Sequence, residues 1–277
     1  MGEKVLLAGC GDLGLRVAQR LLARGDAVWA LRRIPPTAGD GRIRWLRGDL
    51  TAPASLPPLP PGLTQAVYLP APDRRDACTY GAVFVDGLRH LLAAMDHGSL
   101  RRVLLVSSSA VYGEHAGAWV DEDTATAPLG FNGSLLRDAE CWLAAQPVRS
   151  VVLRLAGLYG PGRLQVLERL RAGQVTVPRH TPHWANRMHV EDAAAAIAHL
   201  LRLPAPQALY LGVDDTPLPL DVLYDHLAHL LGAPPPADGP APSAVGSKRL
   251  SNARLRASGF VPSWPDARQG YAALLQA

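Results

Sequence analysis

The chain has 277 residues, enough to bury one large α/β core or a core with a smaller cap. It carries 28 Lys and Arg against 24 Asp and Glu, which gives a net charge of +4. The basic residues are scattered and almost all are arginine, without interleaved aromatics, so the composition argues against nucleic-acid binding. No apolar stretch approaches about 18 residues, which argues against a membrane span.

The cysteines Cys10, Cys78 and Cys141 are too few and too unevenly spaced for a disulfide framework or a metal cluster. Residues 6–10 resemble the processing box of bacterial lipoproteins, but the apolar run before the glycine covers only residues 5–8. A signal peptide needs an apolar core of about 7 to 15 residues. We therefore expect a cytoplasmic protein with reduced thiols and no structural zinc.

The first predicted element is a short apolar strand at residues 5–8, followed by a glycine-spaced turn and an amphipathic helix. In such a unit the first glycine permits a tight turn and the second lets the backbone approach a pyrophosphate. The third packs the helix on the strand, so that the helix N-terminus faces the phosphates. The pattern predicts a dinucleotide site formed by Gly9, Gly11, Asp12, Leu13 and Gly14.

The second predicted strand, residues 27–31, leads into Arg32 and Arg33. An NAD site usually places a carboxylate about 20 positions beyond the glycines, where it bonds the ribose 2′-hydroxyl, whereas an NADP site places arginine there. Two arginines and no carboxylate stand at this point, which favours NADP(H), with NAD(H) as the alternative. The structural interpretation is that both arginines are solvated residues after a strand.

Alternating elements continue along the chain. Further strand-like runs lie at residues 43–46, 66–69, 102–107, 151–155 and 208–212. Helical spacing is found around residues 84–95, 135–142, 190–203 and 218–231, and the proline-rich segments 53–62 and 233–242 are predicted loops. This alternation predicts an α/β fold, a Rossmann-type doubly wound parallel sheet with a small C-terminal substrate-binding cap.

Five stretches resemble the extended and atypical short-chain dehydrogenase/reductases, which include nucleotide-sugar epimerases and dehydratases. They are the glycine turn and residues 48–50, 107–113, 154–162 and 186–193. The resemblance implies an NADP-binding Rossmann domain, residues 1–158 with 187–214, and a substrate-binding cap, residues 159–186 with 215–277. It also implies a small-molecule substrate and often a homodimer, in which the helical runs 84–97 and 134–145 would pair two subunits.

The resemblance further assigns roles to residues that follow the third, fourth and fifth strands. The cofactor would also be contacted by Asp49, Leu50, Leu69, Pro70, Ala71 and Ser107. Ser108 would donate a hydrogen bond to a substrate carbonyl while a hydride is moved. The structural alternatives are a turn aspartate, a strand end, and serines that satisfy backbone groups of the loop.

The chain departs from the family at the catalytic pair. Active members carry a tyrosine and, four residues later, a lysine that lowers the pKa of the tyrosine. Asn132 and Leu136 stand at these positions, and no tyrosine of the chain is followed at that spacing by lysine. Asn132 is also interpretable as the cap of a helix that begins near Ser134.

Other residues are candidates for the missing chemistry, and each also has a structural interpretation. Proton transfer is assigned to Tyr112 or His189, with His183 as a further alternative. The candidates for substrate binding are Asn132, Arg163, His183, Arg187 and Lys248. The predicted function is an NADP(H)-dependent oxidoreductase acting on a carbonyl/alcohol or imine/amine centre, with sugar-nucleotide epimerisation or dehydration as the closest variant. The missing pair leaves open a non-catalytic NADP(H)-sensing protein.

Overall fold

The computed structural model describes residues 2–276. Its strands are β1 Lys4–Ala8, β2 Ala27–Arg32, β3 Arg44–Arg47, β4 Gln65–Tyr68, β5 Arg102–Ser108, β6 Trp119–Val120, β7 Ser150–Leu155, β8 Gly157–Tyr159, β9 Thr176–Val177, β10 Trp184–Ala185, β11 Arg187–His189, β12 Leu209–Gly212, β13 Leu218–Pro219, β14 Ala237–Asp238 and β15 Arg249–Leu250. Its helices are α1 Asp12–Ala23, α2 Ala77–Tyr80, α3 Gly87–Ala94, α4 Phe131–Ala144, α5 Gln165–Arg171, α6 Val190–Arg202, α7 Leu220–Leu230, α8 Ala253–Ala257 and α9 Ala267–Gln276. A π-helical turn, Gly81–Asp86, joins α2 to α3.

Among residues 2–276, seven strands form the main sheet in the order β12-β7-β5-β4-β1-β2-β3. Strand β1 pairs in parallel with β2 on one side and with β4 on the other. The chain therefore winds outward from β1 first in one direction and then in the other, which is the doubly wound arrangement. The predicted Rossmann-type sheet is confirmed.

The first strand and helix form as their sequence pattern predicts. Val5, Leu6 and Leu7 are fully buried, as expected for a parallel strand that is covered on both faces. In α1 the buried residues, which include Val17 and Leu21, recur at helical spacing and cover one side of the helix. This packing places the glycine turn at the carboxyl end of β1.

Helix α4 begins at Phe131, three residues before the predicted start at Ser134. The additional turn is stabilised because the Phe131 ring packs edge-on against Tyr80, with ring centroids 5.4 Å apart. Asn132 consequently lies inside the first turn and is not the helix cap. The interpretation of Asn132 as a cap is wrong.

The chain divides into two compact units. The first comprises Met1–Val111, Phe131–Arg154 and Ala194–Leu209, and the second comprises Tyr112–Gly130, Leu155–Ala193 and Tyr210–Ala277. The second has a hydrophobic cluster of its own, in which Leu167, Leu223 and Tyr271 are almost fully buried. The functional domain borders expected at residues 158, 187 and 214 stay a prediction. Within residues 2–276, none of the helices combines the length and apolar character needed to cross a bilayer.

Candidate functional site

At the first and third positions of the turn, neighbouring atoms leave room only for glycine. Gly9 has a φ of +84°, and a Cβ added to it would lie 2.4 Å from Pro70 Cα. A Cβ on Gly14 would lie 2.9 Å from Cys10 Sγ and 3.1 Å from a methyl group of Leu69. Both positions therefore exclude larger residues, and the predicted cofactor residues Leu69 and Pro70 adjoin the glycine turn.

The second glycine faces open space instead. A Cβ added to Gly11 would meet no atom within 4 Å. Gly11 precedes α1 and supplies no side-chain hydrogen bond to the first N–H groups of that helix. Such a helix N-terminus attracts an anion, because its N–H groups lack intrahelical acceptors and carry partial positive charge. These residues fit the pyrophosphate of a dinucleotide.

Two further predicted residues lie in the first turn of α1. Asp12 forms an ion pair with Arg16, with 3.0 Å between its Oδ1 and the arginine Nε. Leu13 is one of the buried residues of the helix, so its side chain belongs to the core.

The arginines after β2 have different surroundings. Arg33 donates to both carboxylate oxygens of Asp73, at 2.5 and 2.7 Å, and both side chains are more than half exposed. This hydrogen bonding raises the pKa of Arg33 and lowers that of Asp73. Arg32 ends β2 and is half-buried. Burial raises the pKa of the Cys10 thiol to about 12, against the opposing charge of Arg32, so Cys10 is a neutral thiol.

The residues after β3 and β4 include a structured turn. Asp49 accepts hydrogen bonds from the backbone N–H and the hydroxyl of Thr51, at 2.9 and 2.8 Å. Leu50 is buried, while Ala71 is exposed. Asp49 therefore stabilises this turn, and the cofactor contact expected of it stays a prediction.

The two serines at the end of β5 are used differently. Ser107 is buried and donates to Glu140 Oε1 at 2.5 Å. Ser108 is half-buried, and its Oγ accepts from the Ala110 N–H at 3.2 Å. Because Ser108 accepts in this bond, its hydroxyl proton can be donated to a ligand.

Glu140 and Arg154 form a buried ion pair that the sequence analysis missed. Arg154 Nη2 lies 2.6 Å from Glu140 Oε2, and the two side chains are 8% and 7% exposed. The pair joins α4 to β7 and, through Ser107, to the end of β5. An arginine within the apolar run of a predicted buried strand was the available signal, since such a charge needs a partner.

The residues in place of the family's tyrosine and lysine cannot reproduce that pair. Leu136 is 4% exposed and belongs to the buried face of α4, whereas Asn132 is half-buried in its first turn. Tyr159 comes nearest to the family's spacing, because a basic residue, Arg163, follows it four residues later. Burial raises the pKa of Tyr159, which is opposite to the change that a catalytic tyrosine requires.

Two proton-transfer candidates are buried in the second unit and hydrogen-bonded there. The Tyr112 hydroxyl donates to the Asp121 carbonyl oxygen at 2.7 Å. His189 Nδ1 accepts from the Glu191 N–H at 3.2 Å, at the start of α6, and its ring packs against Trp264. Both side chains are thus already bonded to the backbone, and the Tyr112 hydroxyl would have to leave its bond before donating a proton to a substrate.

The third candidate, His183, lies near Glu114 and Lys248. Burial lowers the pKa of both His183 and Lys248, while Glu114 opposes the change at each. Lys248 Nζ donates to the carbonyl oxygens of Gly246 and Gly113, at 3.0 and 3.4 Å. His183 is consequently a neutral imidazole near pH 7.

The remaining substrate-binding candidates are two arginines. Arg187 donates to the Tyr224 hydroxyl and the Asn186 carbonyl oxygen, each at 3.1 Å. Arg163 closes the loop after Tyr159, and its N–H donates to the Gly160 carbonyl oxygen at 3.0 Å. The substrate-binding role of Arg163, Arg187 and Lys248 stays a prediction.

Comparison with known proteins identifies relatives over nearly the whole chain. The model of the NAD dependent epimerase/dehydratase family matches residues 5–212. Protein YeeZ of Escherichia coli K12 is 30% identical, over 95% of this chain and 97% of its own length. The 3-diazoavenalumate denitrifying reductase of a Streptomyces species is 28% identical, over 96% of this chain and 98% of its own.

Solved structures agree in fold. A Methylobacillus flagellatus protein described as a candidate NAD-dependent epimerase/dehydratase is 37% identical, with a TM-score of 0.83 over 100% of this chain and 98% of its own. MoeE5 in complex with UDP-glucuronic acid and NAD has a TM-score of 0.82 at 24% identity, over 99% of this chain and 98% of its own. Together with the glycine turn at the end of β1, the family match leads to one conclusion. The chain belongs to the NAD-dependent epimerase/dehydratase family.

Proposed function

We propose that the protein is an NADP(H)-dependent oxidoreductase that reduces a carbonyl or imine group of a small molecule. The observation that carries the proposal is the glycine turn, in which Gly9 and Gly14 are packed tightly while Gly11 faces open space. A residue with a side chain at Gly11 would be tolerated by the fold, so glycine at this position serves a ligand. When bound, the dinucleotide supplies the hydride.

The preference for NADP(H) is supported by Arg32 and Arg33 at the end of β2. The ion pair between Arg33 and Asp73 is exposed, and exposed pairs contribute little to stability. A 2′-phosphate, with more negative charge than a carboxylate, would therefore compete well for the Arg33 guanidinium. NAD(H) would gain nothing from this exchange.

Ser108 would orient the substrate, because its hydroxyl proton is available to the oxygen or nitrogen that becomes more negative as the hydride arrives. Reduction is favoured over epimerisation by the name of one relative, the 3-diazoavenalumate denitrifying reductase. Tyr112 or His189 would deliver the proton, and the Tyr112 hydroxyl would first have to leave its hydrogen bond to the Asp121 carbonyl oxygen.

A sensor of NADP(H) is the second candidate, favoured by the absence of the tyrosine and lysine pair. NADPH consumption measured against a panel of carbonyl and imine compounds separates the two functions. We expect turnover of at least one compound by the wild type, and a kcat about a hundredfold lower in Ser108→Ala with unchanged NADPH binding. If both proteins are inert while NADPH binds to each, the oxidoreductase proposal is wrong and the sensor is favoured.

A further inference from the structure

The second unit contains a cavity of about 710 Å³, and His183, one of the substrate-binding candidates, is part of its wall. Its wall is formed by Glu114, Gly117, residues 178–184, and Ser247 with Arg249. Small-molecule sites typically have volumes of about 300 to 1,000 Å³. The cavity is therefore large enough for a substrate or for a large part of one.

Most charged groups of the wall are already paired. The carboxylate oxygens of Glu114 accept from the backbone N–H groups of Ala116 and Ser247, at 2.6 and 2.7 Å. Arg179 donates to both oxygens of Asp225, at 2.5 and 2.8 Å. These groups hold the wall together and have little capacity left for a ligand.

Arg249 is the exception. Its Nε donates to the Gly117 carbonyl oxygen at 2.7 Å, and its guanidinium carbon lies 5.1 and 4.7 Å from the ring centroids of Trp119 and Trp184. None of the ion pairs found within residues 2–276 includes Arg249. The two indole rings hold the guanidinium plane, so the terminal nitrogens, Nη1 and Nη2, are preorganised for an oxyanion.

We propose that this cavity binds a flat, monovalent organic acid, whose carboxylate accepts hydrogen bonds from Nη1 and Nη2 of Arg249. The indole of Trp184 and the rings of Pro178 and Pro182 supply apolar surface for the flat body of the acid. The assignment of this acid as the substrate rests on the proposed function, whereas its binding can be measured without NADPH.

Charge balance selects the monovalent acid over a nucleoside diphosphate. Arg249 contributes one positive charge without a carboxylate partner, and His183 in the same wall is neutral near pH 7 because burial lowers its pKa. A diphosphate carries at least two negative charges. The second charge would find no second available guanidinium, because Arg179, the other arginine of the wall, is already bound to Asp225.

The proposal is tested by isothermal titration calorimetry of the full chain without dinucleotide. The probes are cinnamate and benzoate, their uncharged amides, and UDP. We expect cinnamate to bind about tenfold more tightly than cinnamamide and more tightly than UDP. Equal binding of acid and amide, binding of neither, or tighter binding of UDP would overturn the proposal.

Substitutions locate the binding to Arg249. Arg249→Gln should weaken cinnamate about tenfold and leave cinnamamide unchanged, and Arg249→Lys, which keeps the charge but not the planar fork, should be intermediate. Arg171→Gln, on the exposed side of α5, is the control and should bind like the wild type. If circular dichroism shows that Arg249→Gln does not fold, Arg249→Lys becomes the deciding variant. Cinnamate affinity equal to that of the wild type in Arg249→Lys would then contradict the proposal. Cinnamate has no ketone, aldehyde or imine to reduce, so its binding tests this site alone. NADPH consumption with the carbonyl and imine panel tests the reductase, and failure there would leave the site standing.

Discussion

The buried ion pair between Glu140 and Arg154 provides the sharpest test of how this fold is held together. Glu140→Gln keeps the shape of the side chain and an oxygen that can accept from Ser107, but it removes the negative charge. Arg154 then keeps its positive charge in a position where its side chain is 8% exposed. The variant should therefore fold, but with lower stability.

The expected magnitude follows from the burial of both partners. In the wild type, Arg154 donates through Nη2 at 2.6 Å and through Nε at 3.1 Å to the same carboxylate oxygen. Removal of one partner of a buried pair costs about 3 to 5 kcal/mol, chiefly because the remaining charge is uncompensated. We expect Glu140→Gln to lose about 3 kcal/mol in the free energy of unfolding, because the Arg154 charge is uncompensated and the single amide oxygen replaces only one of the two accepting carboxylate oxygens.

Urea unfolding measures this loss as a lower midpoint with an unchanged slope. The control is Asp40→Asn, because Asp40 and Arg42 have the same 2.6 Å N–O distance, with an arginine that is 69% exposed. That variant should leave the midpoint nearly unchanged. The double variant Glu140→Gln with Arg154→Met should be more stable than Glu140→Gln alone. If Glu140→Gln loses no more stability than Asp40→Asn, burial is not what gives this pair its importance.

Three further predictions concern the cofactor site and the pH dependence of stability. Gly11→Val should unfold at the wild-type urea midpoint but lose NADPH binding in a fluorescence titration, whereas Gly9→Val should lose stability, because Pro70 occupies the space of a Cβ. Asp73→Asn should bind NADPH severalfold more tightly than the wild type and NADH equally well, because Arg33 is released for the 2′-phosphate. Burial raises the pKa of Asp214 from 3.8 to about 8, so the folded protein retains a proton that the unfolded chain releases. Its contribution to stability therefore falls as the pH rises between these values, by at most about 1.4 kcal/mol per unit, and Asp214→Asn should be the more stable protein at pH 8 in urea unfolding.

Each of these predictions has a contradicting result. Equal destabilisation by Gly11→Val and Gly9→Val would mean that both glycines serve packing alone. An equal gain in NADH and NADPH affinity for Asp73→Asn would show that the released Arg33 does not bind the 2′-phosphate. A pH profile of stability that is unchanged in Asp214→Asn would show that this carboxyl is ionised in the folded protein at neutral pH.

The order of the elements and the location of the glycine turn follow from the sequence alone. The apolar run of β1, the helical spacing in α1 and the glycines between them are properties of neighbouring residues, and the structure reproduces each of them. The absence of a tyrosine and lysine pair was equally readable, because it is defined by a spacing of four residues. The start of α4 was missed because a ring contact with Tyr80, far along the chain, stabilises its first turn.

The hydrogen-bond and ion-pair partners of the polar side chains depend on the folded chain. Arg33 meets Asp73 across 40 residues of sequence, Ser107 meets Glu140 across 33, and Arg249 meets Gly117 across 132. Hydrogen bonds and ion pairs act over a few ångströms, so their partners depend on how the chain folds back on itself and not on local spacing. For this reason the sequence could nominate Ser108, Tyr112 and His189 together, while the structure distinguishes a serine with a proton to donate from two side chains already bonded within the protein.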